Sequence, residues 1–288
     1  MLAEPSAGRR SPFVSSRGLG IILLLLVSVA TAAASKPERQ AIVLRSRPQT
    51  LYHLAPAASS EMQHPPVLFI PGDGGCNPAA MKMARMISSL GYEVFGLDVR
   101  RYLSTSTHGR KVLTEDQMAA DMEEAIRAVA GPEHRPVLLA GWSQGATMAV
   151  LAAARMRDRH PLEGVLTIAL PETGALGWRR IDTLLSLFRK PPHEPAFQVA
   201  PLLPGVAPTP LWMVYGTRDH FTPASIARRL AAKARRPRRR REIQGGNHTL
   251  DNQQSRLKSS VEAGLAWLSR PRSVPQTAAA SGQATGVR

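Results

Sequence analysis

The sequence predicts an α/β protein: a mostly parallel sheet with helices on both faces. Three observations carry that expectation. Apolar, β-branched runs alternate with stretches at helical spacing through the middle of the chain. The apolar runs are continuous rather than alternating, as in strands buried on both faces. Candidate reactive residues fall just past the ends of these runs, where the strands of an open parallel sheet converge on one edge.

Taken in order, Pro66–Ile70 reads as a buried strand ending at Pro71-Gly72. Pro78–Leu90 carries Met81, Ala84, Met86, Ile87 and Leu90 near helical spacing, with Asn77 as N-cap and Pro78 in the first turn. Gly91 closes that helix, and Glu93–Val99 is the next strand. Thr114 and Gln117 form a capping box, opening a helix that runs to about Ala130, where Gly131-Pro132 stop it. Val137–Ala140 is a strand and Gly145–Arg157 a helix. Gly164–Leu170 is a strand, and Leu211–Tyr215 and Glu242–Gln244 are the last two. Helices are expected at about 222–234 and 252–269.

Residues 172–209 break the rhythm. They carry six prolines and one short helical piece, Ile181–Phe188. They read as a small Pro-rich cap inserted over the carboxyl edge of the sheet. The domain proper is expected over 35–270, and the small, polar stretch 271–288 as a disordered tail.

The N-terminus reads as a leader. Arg9, Arg10 and Arg17 precede the apolar run Leu19–Ala30, and Ala32-x-Ala34 is a cleavage pattern. Residues 1–34 are thus expected to be a signal peptide and the protein to be exported, periplasmic or secreted. The alternative is an uncleaved N-terminal anchor facing the periplasm. The chain carries a net charge of +16. The leader holds three arginines and one glutamate, which leaves +14 on the remainder. One cysteine, Cys76, excludes an intrachain disulfide. No Cys/His cluster has metal-ligand spacing, so neither metal nor cofactor is expected.

The chemistry concentrates at VLLAGWSQGA, residues 137–146, an apolar strand running into Gly141-x-Ser143-x-Gly145. A strand, a sharp turn and a helix hold a serine in a strained conformation with its hydroxyl exposed. Ser143 is therefore the candidate nucleophile. The acid and the base should follow in that chain order, and Asp219 and His248 do, each just past a later strand. Asp98 also ends a strand and stands as the alternative acid. The backbone N–H groups of Gln144 and Asp73 are the expected oxyanion donors. Gly72, Asp73, Gly74, Gly75 and Trp142 are candidate substrate-binding residues. Cys76 is a rival nucleophile without a clear base partner.

Over the stretch from residue 66 to about 269 the chain resembles the α/β-hydrolase superfamily. The phrases FIPGDGG, GLDVRRY and GWSQGA are similar to the VirJ/AcvB-type bacterial virulence hydrolases. Cys76 stands where that family usually has an aromatic, Gln144 where it commonly has Phe, and Trp142 where it has Tyr. The resemblance implies an exported serine esterase acting on lipid, with lysyl-phosphatidylglycerol as the model substrate. A peptidase, a thioesterase or a non-catalytic envelope-binding protein on the same scaffold are the other readings.

Arg228–Arg241, RRLAAKARRPRRRR, holds nine Lys/Arg and no acid. It reads either as a solvated helix face plus an Arg-rich loop or as a contact for an anionic membrane surface. Nucleic acid is not an expected partner.

Overall fold

The computed structural model describes residues 36–57, 64–107, 112–156, 162–177 and 195–270. The expected leader at 1–34, the helix at Ile181–Phe188 and the tail at 271–288 lie outside the described residues.

The chain enters through an antiparallel pair, β1 (Glu38–Leu44) and β2 (Arg47–Leu54), then β3 (Val67–Ile70), α1 (Pro78–Ser88) and β4 (Val94–Leu97). There follow α2 (Val99–Ser106), α3 (Glu115–Ala130), β5 (Val137–Trp142), α4 (Gln144–Arg155) and β6 (Leu162–Ile168). A two-stranded hairpin joins β7 (Thr173–Ala175) to β8 (Ala196–Gln198), and a single turn, α5 (Leu203–Val206), follows it. The chain ends with β9 (Leu211–Gly216), α6 (Ala224–Lys233), β10 (Arg238–Ile243) and α7 (Gln254–Leu268). Eight strands form one sheet in the order β1-β2-β4-β3-β5-β6-β9-β10. Within this sheet the β1–β2 and β2–β4 pairs are antiparallel; the pairs from β4 to β10 are parallel.

The strands alternate their side chains between two cores. Leu68 and Ile70 of β3, Leu139 of β5 and Met213 of β9 pack with Met118, Met122 and Ile126 of α3 and with α4. Phe69, Leu138, Ala140 and Val214 face the other way, onto Ala84 and Ile87 of α1 and Val261, Leu265 and Leu268 of α7. Both faces are covered, as the continuous apolar runs predict. The expected caps are present. Asn77 Oδ1 accepts from the Ala80 N–H at 2.9 Å. Thr114 and Gln117 bond each other's backbone N–H reciprocally.

Three details differ from the sequence-based expectation. The β1–β2 pair was not expected: of its fifteen positions only Leu44, Gln49, Leu51 and Leu54 are buried, so an edge pair this polar gives little periodic signal. The strand at 93–99 stops at Leu97 because Asp98 turns the chain. Its Oδ1 accepts from the Arg101 N–H at 3.0 Å and caps α2, an element also not expected. The last strand begins at Arg238 rather than Glu242. β9 offers a parallel partner to every residue from Arg238 to Ile243, and at the sheet edge the arginines stay solvated. The arginine-rich loop of the sequence reading is therefore, from Arg238 on, a strand. The described part of the 172–209 insertion is the β7–β8 hairpin and α5.

Candidate active site

Ser143 sits between β5 and α4 with φ 53° and ψ −119°. A non-glycine residue at positive φ costs roughly 1–3 kcal/mol and persists only where its surroundings over-determine it. Here they do. The Ser143 N–H donates to the Ile168 carbonyl at 2.9 Å, tying the turn to β6. The flanking glycines allow backbone to pack where no side chain fits. A Cβ on Gly141 would lie 2.4 Å from the Gly145 carbonyl oxygen, and one on Gly145 only 1.9 Å from the Ile70 carbonyl oxygen. The second contact has a further effect: α4 starts hard against the end of β3, which delivers the loop after β3 to the serine. Gly72 in that loop backs onto Ser143, where an added Cβ would stand 3.6 Å from the Ser143 Cβ.

The three residues that chain order singles out meet in space. Ser143 Oγ lies 2.9 Å from His248 Nε2, and His248 Nδ1 lies 2.8 Å from Asp219 Oδ2. The loops after β9 and β10 are stitched together so that this can happen. The Arg218 N–H donates to the Gly246 carbonyl at 2.8 Å, and the Gly245 N–H donates to Thr217 Oγ1 at 2.9 Å. Asp219 is 3 % exposed. Its Oδ1 accepts from the N–H groups of Phe221 and Thr222, at 2.8 and 2.9 Å. Burial alone would raise its pKa. The hydrogen bond to His248 and the two backbone N–H groups outweigh burial and hold the carboxyl below its ordinary value. The ring therefore faces an ionised carboxylate, which fixes Nδ1 as the protonated nitrogen and leaves Nε2 free to accept from Ser143.

Asp98, the alternative acid, is committed elsewhere as the α2 cap, and its Oδ1 also crowds Gly75. A Cβ on Gly75 (φ 65°) would fall 2.3 Å from that oxygen. Asp251, three residues past His248, serves the loop. It accepts from Asn247 Nδ2 and Thr249 Oγ1, each at 2.7 Å, while Asn252 bonds the Asn247 N–H and the Gly245 carbonyl. Cys76 is half-buried, and burial followed by the Asp98 charge pushes its thiol up to about 12. It is a thiol, not a thiolate, at neutral pH.

The Gly72–Gly75 segment closes as a tight turn, with the Gly75 N–H donating to the Gly72 carbonyl at 2.9 Å. Asp73 is exposed at its tip. Gln144 opens α4, and its side chain has a second job not read from the sequence. Gln144 Nε2 donates to the Ala175 carbonyl and Gln144 Oε1 accepts from the Ala175 N–H, both at 3.0 Å. The amide thus pins β7 to the residue after the serine. Trp142 is directed to the α1–α7 side of the sheet, among the apolar side chains there. Phe221 was also missed. It is 80 % exposed, and its ring lies 4.9 Å from the His248 ring. An aromatic two residues past the acid, in a chain with only 5 % aromatics, is the one sequence signal that could have marked it. Among the described residues no group of three or more His, Cys, Asp or Glu side chains could hold a metal ion.

The sheet order, the strained turn and the converging loops define the α/β-hydrolase fold, and comparison with known proteins agrees. The family model described as the alpha/beta hydrolase fold matches residues 65–170. Est1E from Butyrivibrio proteoclasticus superposes with a TM-score of 0.58 at 15 % identity, over 81 % of this chain and 99 % of that one. The esterase domain of a Rhodothermus marinus protein gives 0.56 at 18 % identity, covering 81 % and 98 %. XC6422 from Xanthomonas campestris, described as an α/β serine hydrolase without lid, gives 0.57 at 16 % identity, covering 83 % and 98 %. No curated protein matches the chain significantly.

Proposed function

We propose that the protein is an exported serine hydrolase that cleaves carboxylic esters through an acyl-enzyme. The observation that carries this reading is the continuous Ser143–His248–Asp219 hydrogen-bond chain ending on a serine held at positive φ. His248 Nε2 takes the Ser143 proton as Oγ attacks the acyl carbon. The carbonyl electron pair moves onto oxygen, where the N–H groups of Gln144 and Asp73 receive it. Collapse of that intermediate expels the alcohol, which takes the proton from His248 and leaves an acyl-serine. Water, deprotonated by His248, then releases the acid and restores Ser143. Asp219 stays ionised throughout and stabilises the imidazolium.

The substrate we propose is an aminoacyl ester of an anionic phospholipid. In this reading Asp73, an exposed carboxylate one residue past Gly72 in the loop beside Ser143, pairs with an ammonium on the acyl group. The exposed arginines of β10 supply attraction to an anionic surface, about 1 kcal/mol per cation close to it. Strand alternation divides them. Arg239 and Arg241 lie over Trp267 and Trp212, at 5.2 and 5.8 Å from the ring centres, on the α7 side. Arg238 bonds the Ala234 carbonyl on the α6 side. An edge-on approach of the sheet is what presents all four to one membrane.

A fluorophosphonate probe on the folded protein tests the nucleophile: Ser143 should label, and Ser143→Ala should not. Failure to label would favour a binding protein that reuses the fold. Turnover of lysyl-phosphatidylglycerol in vesicles, compared with a short-chain ester, tests the substrate. Hydrolysis of the short ester alone would remove the lipid from the reading.

A further inference from the structure

Between α1 and the 251–258 stretch lies a cavity of about 550 Å³. Small-molecule sites occupy roughly 300–1,000 Å³. Neither Ser143 nor His248 lines it, yet it touches both neighbours in sequence: Trp142 forms one wall and Thr249 another. Trp142, Met83, Met86 and Leu257 give the cavity an apolar interior. Methionine is unbranched and adjusts to flexible chains. Lys82 of α1 and Lys258 of α7 line it from opposite helices, and both are exposed, so their ammonium groups reach water while their stems extend the apolar wall. The one carboxylate in the lining, Asp251, is already engaged by Asn247 and Thr249. A further observation concerns the wall itself. The Trp142 indole Nε1 is buried and has no hydrogen-bond partner among the described residues, whereas a buried indole N–H usually finds one.

We propose that this cavity is a second binding site, for a single-chain anionic amphiphile. The alkyl chain lies against Trp142, Met83, Met86 and Leu257, and the anionic end meets Lys82 and Lys258. The inference rests on the cavity and holds whatever Ser143 does. The occupant is an anion, because the lining sets two lysines against the single carboxylate of Asp251, which already accepts from Asn247 and Thr249; a single alkyl chain matches the apolar wall of Trp142, Met83, Met86 and Leu257.

Isothermal titration of the full chain with laurate, below its micelle concentration, tests the site, with dodecyltrimethylammonium as the matched cation. Laurate should bind once per chain and at least about tenfold more tightly than the cation. Met86→Trp, checked for folding by circular dichroism, should fill the cavity and abolish laurate binding. Lys82→Ala combined with Lys258→Ala changes only exposed residues and should weaken laurate about tenfold without weakening the cation. Bound laurate should also protect Lys82 and Lys258 from acetylation, read by mass spectrometry. Equal affinity for the two head groups, laurate binding that survives Met86→Trp, or unprotected lysines would each overturn the proposal.

Discussion

The turn around Ser143 and the strand Arg238–Arg241 are both conspicuous in the sequence, and the molecule treats them in opposite ways. In the turn every position is fixed by a neighbour: Gly141 by the Gly145 carbonyl, Gly145 by the end of β3, Ser143 by β6 and by His248. In the strand the four arginines are exposed and the backbone pairs with β9, while the side chains reach Trp267, Trp212 and the Ala234 carbonyl. A few small residues at set spacing decide a site because backbone must pass through the space a side chain would fill. A run of like charge decides little about local structure, because solvated side chains place few demands on it. At a sheet edge, charge serves as well to prevent strand-to-strand aggregation as to attract a membrane.

Substitutions can break or sharpen that contrast. The largest effect is expected for Asp219→Asn, which preserves the shape but loses the charge that sets the His248 tautomer. kcat for ester hydrolysis should fall about 10,000-fold with unchanged circular dichroism. A drop of less than tenfold would mean that His248 does not act through Asp219. Gly145→Ala comes next. Its Cβ has no room against Ile70, so unfolding in urea should show a loss of more than about 4 kcal/mol, whereas Arg240→Ala should stay within about 0.5 kcal/mol. Comparable losses would show that the arginine edge is as constrained as the turn.

Phe221→Ala tests the apolar platform beside His248. KM for an ester with a large apolar group should rise about tenfold while kcat holds within about twofold, since truncation of one apolar contact is worth roughly 1–3 kcal/mol. The smallest effect concerns Glu242, whose carboxyl is held down at about 2, first by the hydrogen bonds from Arg228. A depressed carboxyl contributes stability above its ordinary value of 4.5 and loses it as pH falls towards 2. In acid-unfolding curves, Glu242→Gln should cost under about 1 kcal/mol at pH 7, because the pair is partly exposed, and progressively less as pH falls through about 2.

The parallel sheet, its covering helices and both caps were legible because buried strands and helix starts each leave a local residue pattern. The meeting of Ser143, Asp219 and His248 could be read as well, since strand ends in a parallel sheet share an edge. Asp98 shared with Asp219 a place at a strand end, and so stood as the alternative acid. What separates them is the chain beyond: the residues after Asp98 turn at once into α2 and use its carboxylate as a cap, while the residues after Asp219 supply N–H groups that keep its other oxygen facing His248. The β1–β2 pair escaped notice because a polar edge strand is held by its neighbour rather than by its own apolar face. Gln144 and Trp142 were read by their place beside the serine. Their side chains serve other surroundings, the β7–β8 hairpin and the α1–α7 side, and a place beside the serine in sequence does not by itself put a side chain at the site.

The Gln144 amide, bonded through both its oxygen and its nitrogen to Ala175, has an evolutionary corollary. The chain leaves this hairpin after Ala175 and returns to it at Ala196, so the intervening residues begin and end at one fixed root beside the reactive serine. Lengthening or rewriting them transmits no pull to Ser143, since the root is already clamped to α4. Loop closure grows only slowly more costly with length. The arrangement lets selection rewrite the segment between Ala175 and Ala196 while the turn around Ser143 is inherited unchanged.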